Sequence, residues 1–213
     1  MSNPISENQW WDFQTFRILI YFAQMQSAPS SIYNQSVDKQ RVVIVGKNKA
    51  RIAEMIAFVL KQSGRKFDLS TSVSEQFSDG VTIVIEANGD PGTLTQYQHH
   101  ILIFSQLPVA EKEIYSALAD KTPKSGGIFF DDTDELAKSI AKKERPDVTV
   151  IPYSVPKHEM KGGTATLVSS TNEMIPTHLT STEDLKNCNA AKEFVKKIGI
   201  TSGQFYKAIS TFK

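Results

Sequence analysis

Arg41-Val42-Val43-Ile44-Val45-Gly46-Lys47-Asn48-Lys49-Ala50-Arg51 passes from one kind of periodicity to another within a single short stretch. Arg41 to Val45 is dominated by β-branched residues without apolar–polar alternation, the pattern of a strand covered on both faces. Gly46 ends it. From Ala50 to Gln62 the apolar residues Ile52, Met55, Ile56, Val59 and Leu60 recur at helical spacing, and Gly64 stands where a helix C-terminus is commonly closed. A buried strand, a one-glycine turn and an amphipathic helix form the opening of a parallel βαβ unit.

The alternation continues downstream. Val81-Thr82-Ile83-Val84-Ile85-Glu86 predicts a strand, followed by a turn at Gly89 to Gly92, and Ile101-Leu102-Ile103-Phe104 predicts another. Pro108 suits the first turn of a helix running to Lys121. Ile128-Phe129-Phe130 reads as a strand, with Asp131 or Asp132 capping a helix that runs to Lys143. Val148 to Ile151 and Thr164 to Val168 are further strand candidates, the second expected near the sheet edge. Thr182 is a capping residue with Glu183 and Asp184 in the first turn of a helix that Gly199 stops, and Thr201 starts a last helix through Phe205, Ile209 and Phe212. Strands alternating with helices predict an α/β fold, a mostly parallel sheet with helices on both faces. Upstream, Phe13, Phe16 and Ile20 suit an aromatic amphipathic helix that Pro29 and its serines interrupt. The chain therefore divides into an N-terminal helical segment, 1–40, and an α/β domain, 41–213.

The 213 residues carry 24 Lys and Arg against 23 Asp and Glu, a net charge of +1, so no bulk electrostatic attraction draws the chain to nucleic acid or an anionic membrane. Hydrophobic residues at 40% and charged ones at 22% suit a folded protein. The Phe16–Ala23 stretch is far shorter than the roughly 20 residues needed to span a bilayer, so no membrane span is expected. Cys188, the only cysteine, excludes an internal disulfide and a multi-cysteine zinc site and points to a reducing, cytoplasmic compartment.

In open α/β sheets ligands bind beyond the carboxyl ends of the strands. Three segments fall there. Gly46 to Arg51 combines a helix start, which favours anions, with the charges of Lys47, Lys49 and Arg51. It has one glycine and no hydroxyl residue in the first helical turn, so phosphate binding stands against a solvated basic helix start. Glu86 can reach a metal ion, and with Asp90 could share a divalent cation; the alternative is a turn whose acids cap backbone donors. Asp131 and Asp132 end the third. His99 and His100 are expected at the surface, and Cys188 in the core. Asn187 and Asn189 lie in a helical pattern that asparagine disfavours; the amide of Asn187 can read an adenine edge, or cap locally.

The order of these segments resembles the Mur ligase family, in particular the branch that joins UDP-N-acetylmuramate to L-alanyl-γ-D-glutamyl-meso-diaminopimelate. Ile32 to Ile44 is similar to the approach to that family's phosphate loop. Ile83-Val84-Ile85-Glu86-Ala87 resembles its magnesium-glutamate strand. Gly126 to Phe130 and Val150 to Tyr153 resemble later strands of its central ATPase domain. Leu185-Lys186-Asn187-Cys188-Asn189-Ala190-Ala191, with Ile198-Gly199-Ile200 and Phe205 to Ile209, resembles the family's Asn-x-x-Ala-Ala helix and the helix after it. The resemblance covers residues 30 to 213 and implies a P-loop NTPase-like central domain.

It further implies ATP and Mg2+ as cofactors, with Gly46, Lys47, Asn48, Lys49, Arg51 and Asn187 at the nucleotide and Glu86 at the metal, and a UDP-sugar or muramyl peptide as ligand. The sequence departs from the family's Gly-x-(His or Asn)-Gly-Lys-Thr-Thr loop: Lys49 or Ala50 takes the lysine's place and the magnesium threonine is absent. Glu183-Asp184 replaces a His-Asn pair, Pro108-Val109 replaces an Asp-His, and the sequence ends at Lys213, where the family continues into a third domain. The expectation is a degenerate relative in peptidoglycan synthesis or recycling that is no efficient ligase alone, binding nucleotide or UDP-sugar weakly or partnering an intact Mur ligase. The alternatives are an active ATP-dependent ligase with an altered loop, and an interaction module docking through the Trp10–Phe22 helix. A homo-oligomer is compatible with each.

Overall fold

The computed structural model describes residues 26–213, so the aromatic N-terminal helix expected from the sequence lies outside the described residues. Pro29, expected to interrupt helical structure, instead opens helix α1 (Pro29–Asn34), where its missing N–H costs nothing. Strand β1 (Gln40–Val45) and helix α2 (Lys49–Gln62) follow as the periodicity predicts, with a left-handed Gly64 just past the helix.

Among the described residues seven strands form the main sheet in the order β3-β2-β4-β1-β5-β6-β7. They are β2 (Asp68–Ser70), β3 (Glu75–Gln76), β4 (Thr82–Glu86), β5 (Ile101–Phe104), β6 (Gly127–Asp131) and β7 (Thr149–Tyr153) around β1. Only the edge hairpin of β2 and β3 is antiparallel; every other pairing is parallel. The short strands β2 and β3 have no counterpart in the sequence reading, because three and two residues are too few for a period to register.

Alternate residues of the central strands enter different cores. Val42, Ile44, Val84, Ile103 and Phe129 pack with α2, α5 (Thr182–Lys197) and α6 (Ser202–Ile209). Val43, Val45, Ile85, Leu102 and Phe130 pack on the other face. That face is covered by α1, a 3-10 helix (Pro91–Tyr97), α3 (Lys112–Asp120) and α4 (Glu135–Ala141). This two-sided covering is why the central strands read as continuous apolar runs.

Three local expectations are corrected. Thr164–Val168 does not edge the main sheet: as β9 it is the middle strand of a second, antiparallel sheet with β8 (His158–Lys161) and β10 (Met174–Pro176), which presses Ala165, Leu167 and Ile175 into the first core. The cap of α4 is Asp134, not Asp131 or Asp132; its carboxylate accepts from the Leu136 and Ala137 N–H groups. Ser181, not Thr182, caps α5 by accepting from the Asp184 N–H. No helix among the described residues is long and apolar enough to cross a membrane.

Candidate functional site

β1 hands the chain through α2 to β2 on one side of the sheet, while the chain leaving β4 crosses to β5 on the other. The strand ends part at this switch point, and a cleft of about 610 Å³ opens there. Gly46, Lys47 and Lys49 line it, with Ala87 and Gly89 beyond β4 and Gln106, Leu107, Glu111 and Tyr115 beyond β5.

The turn between β1 and α2 is three residues long and folded against the neighbouring strand end. Gly46 has φ +101°, and a β-carbon there would stand 2.2 Å from the Ser105 carbonyl oxygen. Only glycine allows that approach. The Lys47 N–H donates to the Gln106 carbonyl at 3.1 Å and the Asn48 N–H to Ser105 Oγ at 3.2 Å. Two of the amides that a phosphate-binding turn offers to an anion are therefore bonded within the protein.

The side chains of this stretch diverge. Lys49 turns toward β4, where its Nζ donates to the Ala87 carbonyl and, at 2.8 Å, to Asn88 Oδ1. Burial lowers its pKa, opposed by the carboxylates of Glu86 and Glu111. The Asn48 amide donates to Glu183 at the start of α5. Arg51 pairs with Asp184 at 3.1 Å and Glu54 at 2.8 Å, and lies 4.5 Å over the Phe212 ring. Exposed Lys47 has no carboxylate within ion-pair distance among the described residues, which leaves it the free cation of the cleft rim.

Glu86 ends β4 almost fully buried and lines not the cleft but a second cavity of about 510 Å³, with Arg51 and Glu54. Its Oε2 accepts from the N–H and Oγ of Ser72 at 3.1 and 3.0 Å. Asp90 caps the 3-10 helix through the Gly92 N–H, so the two acids accept from different backbone groups. No cluster of three His, Cys, Asp or Glu able to hold a metal occurs among the described residues.

Asn187 is buried within α5 and is not among the residues that line the cleft. Asn189 donates to the Ser154 carbonyl at 2.8 Å. Asp131 accepts from Lys186 Nζ at 2.8 Å and from Thr133, which ties α5 to the end of β6. Cys188 is buried, as expected. His99 is buried too, against the expectation of a surface residue, while His100 is half-buried: two adjacent polar residues gave no sign that Thr122 would help enclose the first.

Sequence reading missed the β5 side of the cleft. Tyr115 donates to Glu111 at 2.7 Å there, and Ser105 and Gln106 hold the Gly46 turn. The signal was available, since Ser105 to Pro108 is also a strand's carboxyl end, but it carries no distinctive residue types.

No protein-family profile and no curated protein matches the chain. Solved structures do. One is a UDP-N-acetylmuramate:L-alanyl-gamma-D-glutamyl-meso-diaminopimelate ligase from Neisseria meningitides, 14% identical with TM-score 0.65, matching 87% of this chain and 70% of its own. Another is a murein peptide ligase from Psychrobacter arcticus 273-4, 13% identical with TM-score 0.67, over 100% of this chain and 54% of its own. A third is a folylpolyglutamate synthetase from Lactobacillus casei, 12% identical with TM-score 0.64, over 86% and 66%. The chain spans about half the length of the second of these. At such identities the likeness is one of fold, and with the mostly parallel sheet and the turn at its switch point it gives this chain a Mur-ligase-like fold.

Proposed function

We propose that this protein acts in the cytoplasmic handling of UDP-N-acetylmuramate peptides, in peptidoglycan synthesis or recycling, as a binding protein or partner of an intact Mur ligase rather than as a ligase working alone. The observation that carries this reading is the turn at Gly46. ATP with Mg2+, the pair implied by the fold, calls for amides free to meet phosphate oxygens and a hydroxyl to meet the cation. Here the amides of Lys47 and Asn48 are bonded to the end of β5, Ala50 follows Lys49, and Glu86 is held by Ser72. The residues present do not fit a triphosphate–magnesium complex at this turn.

What remains is an open cleft with exposed Lys47 and half-buried Lys49 at one wall and Tyr115 and Glu111 at the other. A cation across the cleft from an aromatic ring and apolar lining can take an anionic sugar nucleotide through charge and ring contact. Calorimetric titration of the chain with UDP-N-acetylmuramate, ADP and ATP, each with and without Mg2+, tests this. Binding of the UDP-sugar that Lys47→Ala weakens, with no magnesium-dependent gain for ATP, is the expected result. ATP hydrolysis that depends on UDP-N-acetylmuramate and peptide would overturn it in favour of an active ligase with an altered phosphate loop.

A further inference from the structure

At the amino ends of the strands, opposite the cleft, Arg41 is 5% exposed and has no carboxylate within ion-pair distance among the described residues. A buried guanidinium normally meets an anion or a full set of acceptors. Arg41 meets only part of one. Its Nε donates to the Gln98 carbonyl at 2.9 Å, and Nη1 to those of Ser36, Lys39 and Val37 at 2.6, 3.2 and 3.3 Å. The guanidinium lies 5.0 Å over the Tyr33 ring. Among the described residues Nη2 has a single hydrogen-bonding neighbour, His100 Nε2, at 3.5 Å.

The tautomer of His100 decides what that neighbour is. The backbone N–H of Arg41 donates to His100 Nδ1 at 3.1 Å, so Nδ1 is an acceptor and the hydrogen of the neutral ring sits on Nε2. Burial and the Arg41 charge hold this imidazole below its ordinary pKa, which keeps the ring neutral. Nη2 and Nε2 are therefore two adjacent donors, 3.5 Å apart, that do not satisfy one another. Both residues line a pocket of about 560 Å³ whose other charged lining residue is Lys121, with no acid in its wall. His99, 1% exposed, also lines it, and its Nδ1 has no partner among the described residues.

We propose that Arg41 Nη2, His100 Nε2 and the Lys121 ammonium form a binding site for a small oxyanion, a carboxylate or phosphate group, at the amino edge of the sheet. One oxygen of the anion accepts from Arg41 Nη2, a second from His100 Nε2, and exposed Lys121 adds positive charge at the same pocket wall. The site lies at the opposite end of β1 from the cleft, and its existence does not depend on what the cleft binds.

The test is titration of the full chain with sodium phosphate, sodium acetate and sodium chloride at matched ionic strength, following the His100 imidazole resonances by NMR. A saturable shift with phosphate or with acetate, absent with chloride, is expected, and whichever anion produces it identifies the source. Lys121→Ala, an exposed change that leaves the fold alone, should weaken that binding by about two- to fivefold. Arg41→Lys, which keeps the charge but removes the fork, should weaken it by about tenfold or more. No saturable shift with either anion, an equal response to chloride, or unchanged affinity in Lys121→Ala would overturn the proposal.

Discussion

His99 is buried with Nε2 2.9 Å from Thr122 Oγ1 and, among the described residues, no partner for Nδ1, and burial pushes its pKa down from 6.5 to about 4, with His100 and Arg41 adding to the effect. Its neutral form is therefore the folded form. Between pH 6.5 and about 4 the unfolded chain binds a proton at this position that the folded chain does not, so stability falls as the pH falls through that window. The loss amounts to about 3 kcal/mol by the lower end of the window. Urea unfolding in an acetate- and phosphate-free buffer should show His99→Gln losing less stability than the parent across the window; parallel curves would remove His99 as the cause. Gly46 and His99 differ in how they declare themselves. Gly46 was legible because a glycine after a β-branched run marks a turn wherever it occurs. His99 was not, because a polar residue beside a strand has no periodic signature of burial.

Elements show the same division. β1, β4, β5, β6 and α2 follow their runs and spacings closely, since each is long enough to repeat a period and each apolar face meets a core. Caps were harder. Asp131, Asp132 and Asp134 are chemically equivalent candidates at the start of α4, and the choice falls to Asp134 because Asp131 is held by Thr133 and Lys186. Asp134 also reaches back to the Leu107 N–H at 2.8 Å, which joins the cap to the wall of the cleft. Asp134→Ala should therefore lower the denaturation midpoint by the equivalent of about 1–2 kcal/mol, a capping loss, while Asp132→Ala should change it by less than about 0.5 kcal/mol. Equal effects of the two substitutions would return the cap to an open question.

At the scale of the molecule, one sheet divides two cores, so neither core survives the loss of the strands between them. Such coupling favours a single cooperative transition. Cys188 is its internal reporter: it lies within the first core, 1% exposed, and burial pushes its thiol up to about 12. Its reaction with a disulfide reagent should rise along the urea curve with the same midpoint as the loss of far-ultraviolet circular dichroism. Labelling well below that midpoint would show that α5 opens separately from the sheet. The Mur-ligase-like fold, visible in the order of segments, is retained in structures only 12–14% identical because what persists is the pattern of apolar periods rather than the residues themselves.

The sequence alone determined the class of fold, the central strands and helices, the covered core and the turn at Gly46, because these follow from hydrophobic periods and backbone preferences written along a few neighbouring residues. Only the tertiary structure decided where the polar atoms go. It bonded the Lys47 and Asn48 amides to the end of β5, turned Glu86 to Ser72, tied Arg51 to Asp184 and left the donors of Arg41 and His100 facing one another. A hydrogen bond is satisfied by whatever partner the fold brings near, often more than fifty residues away as between Asn48 and Ser105, and no local pattern encodes that meeting.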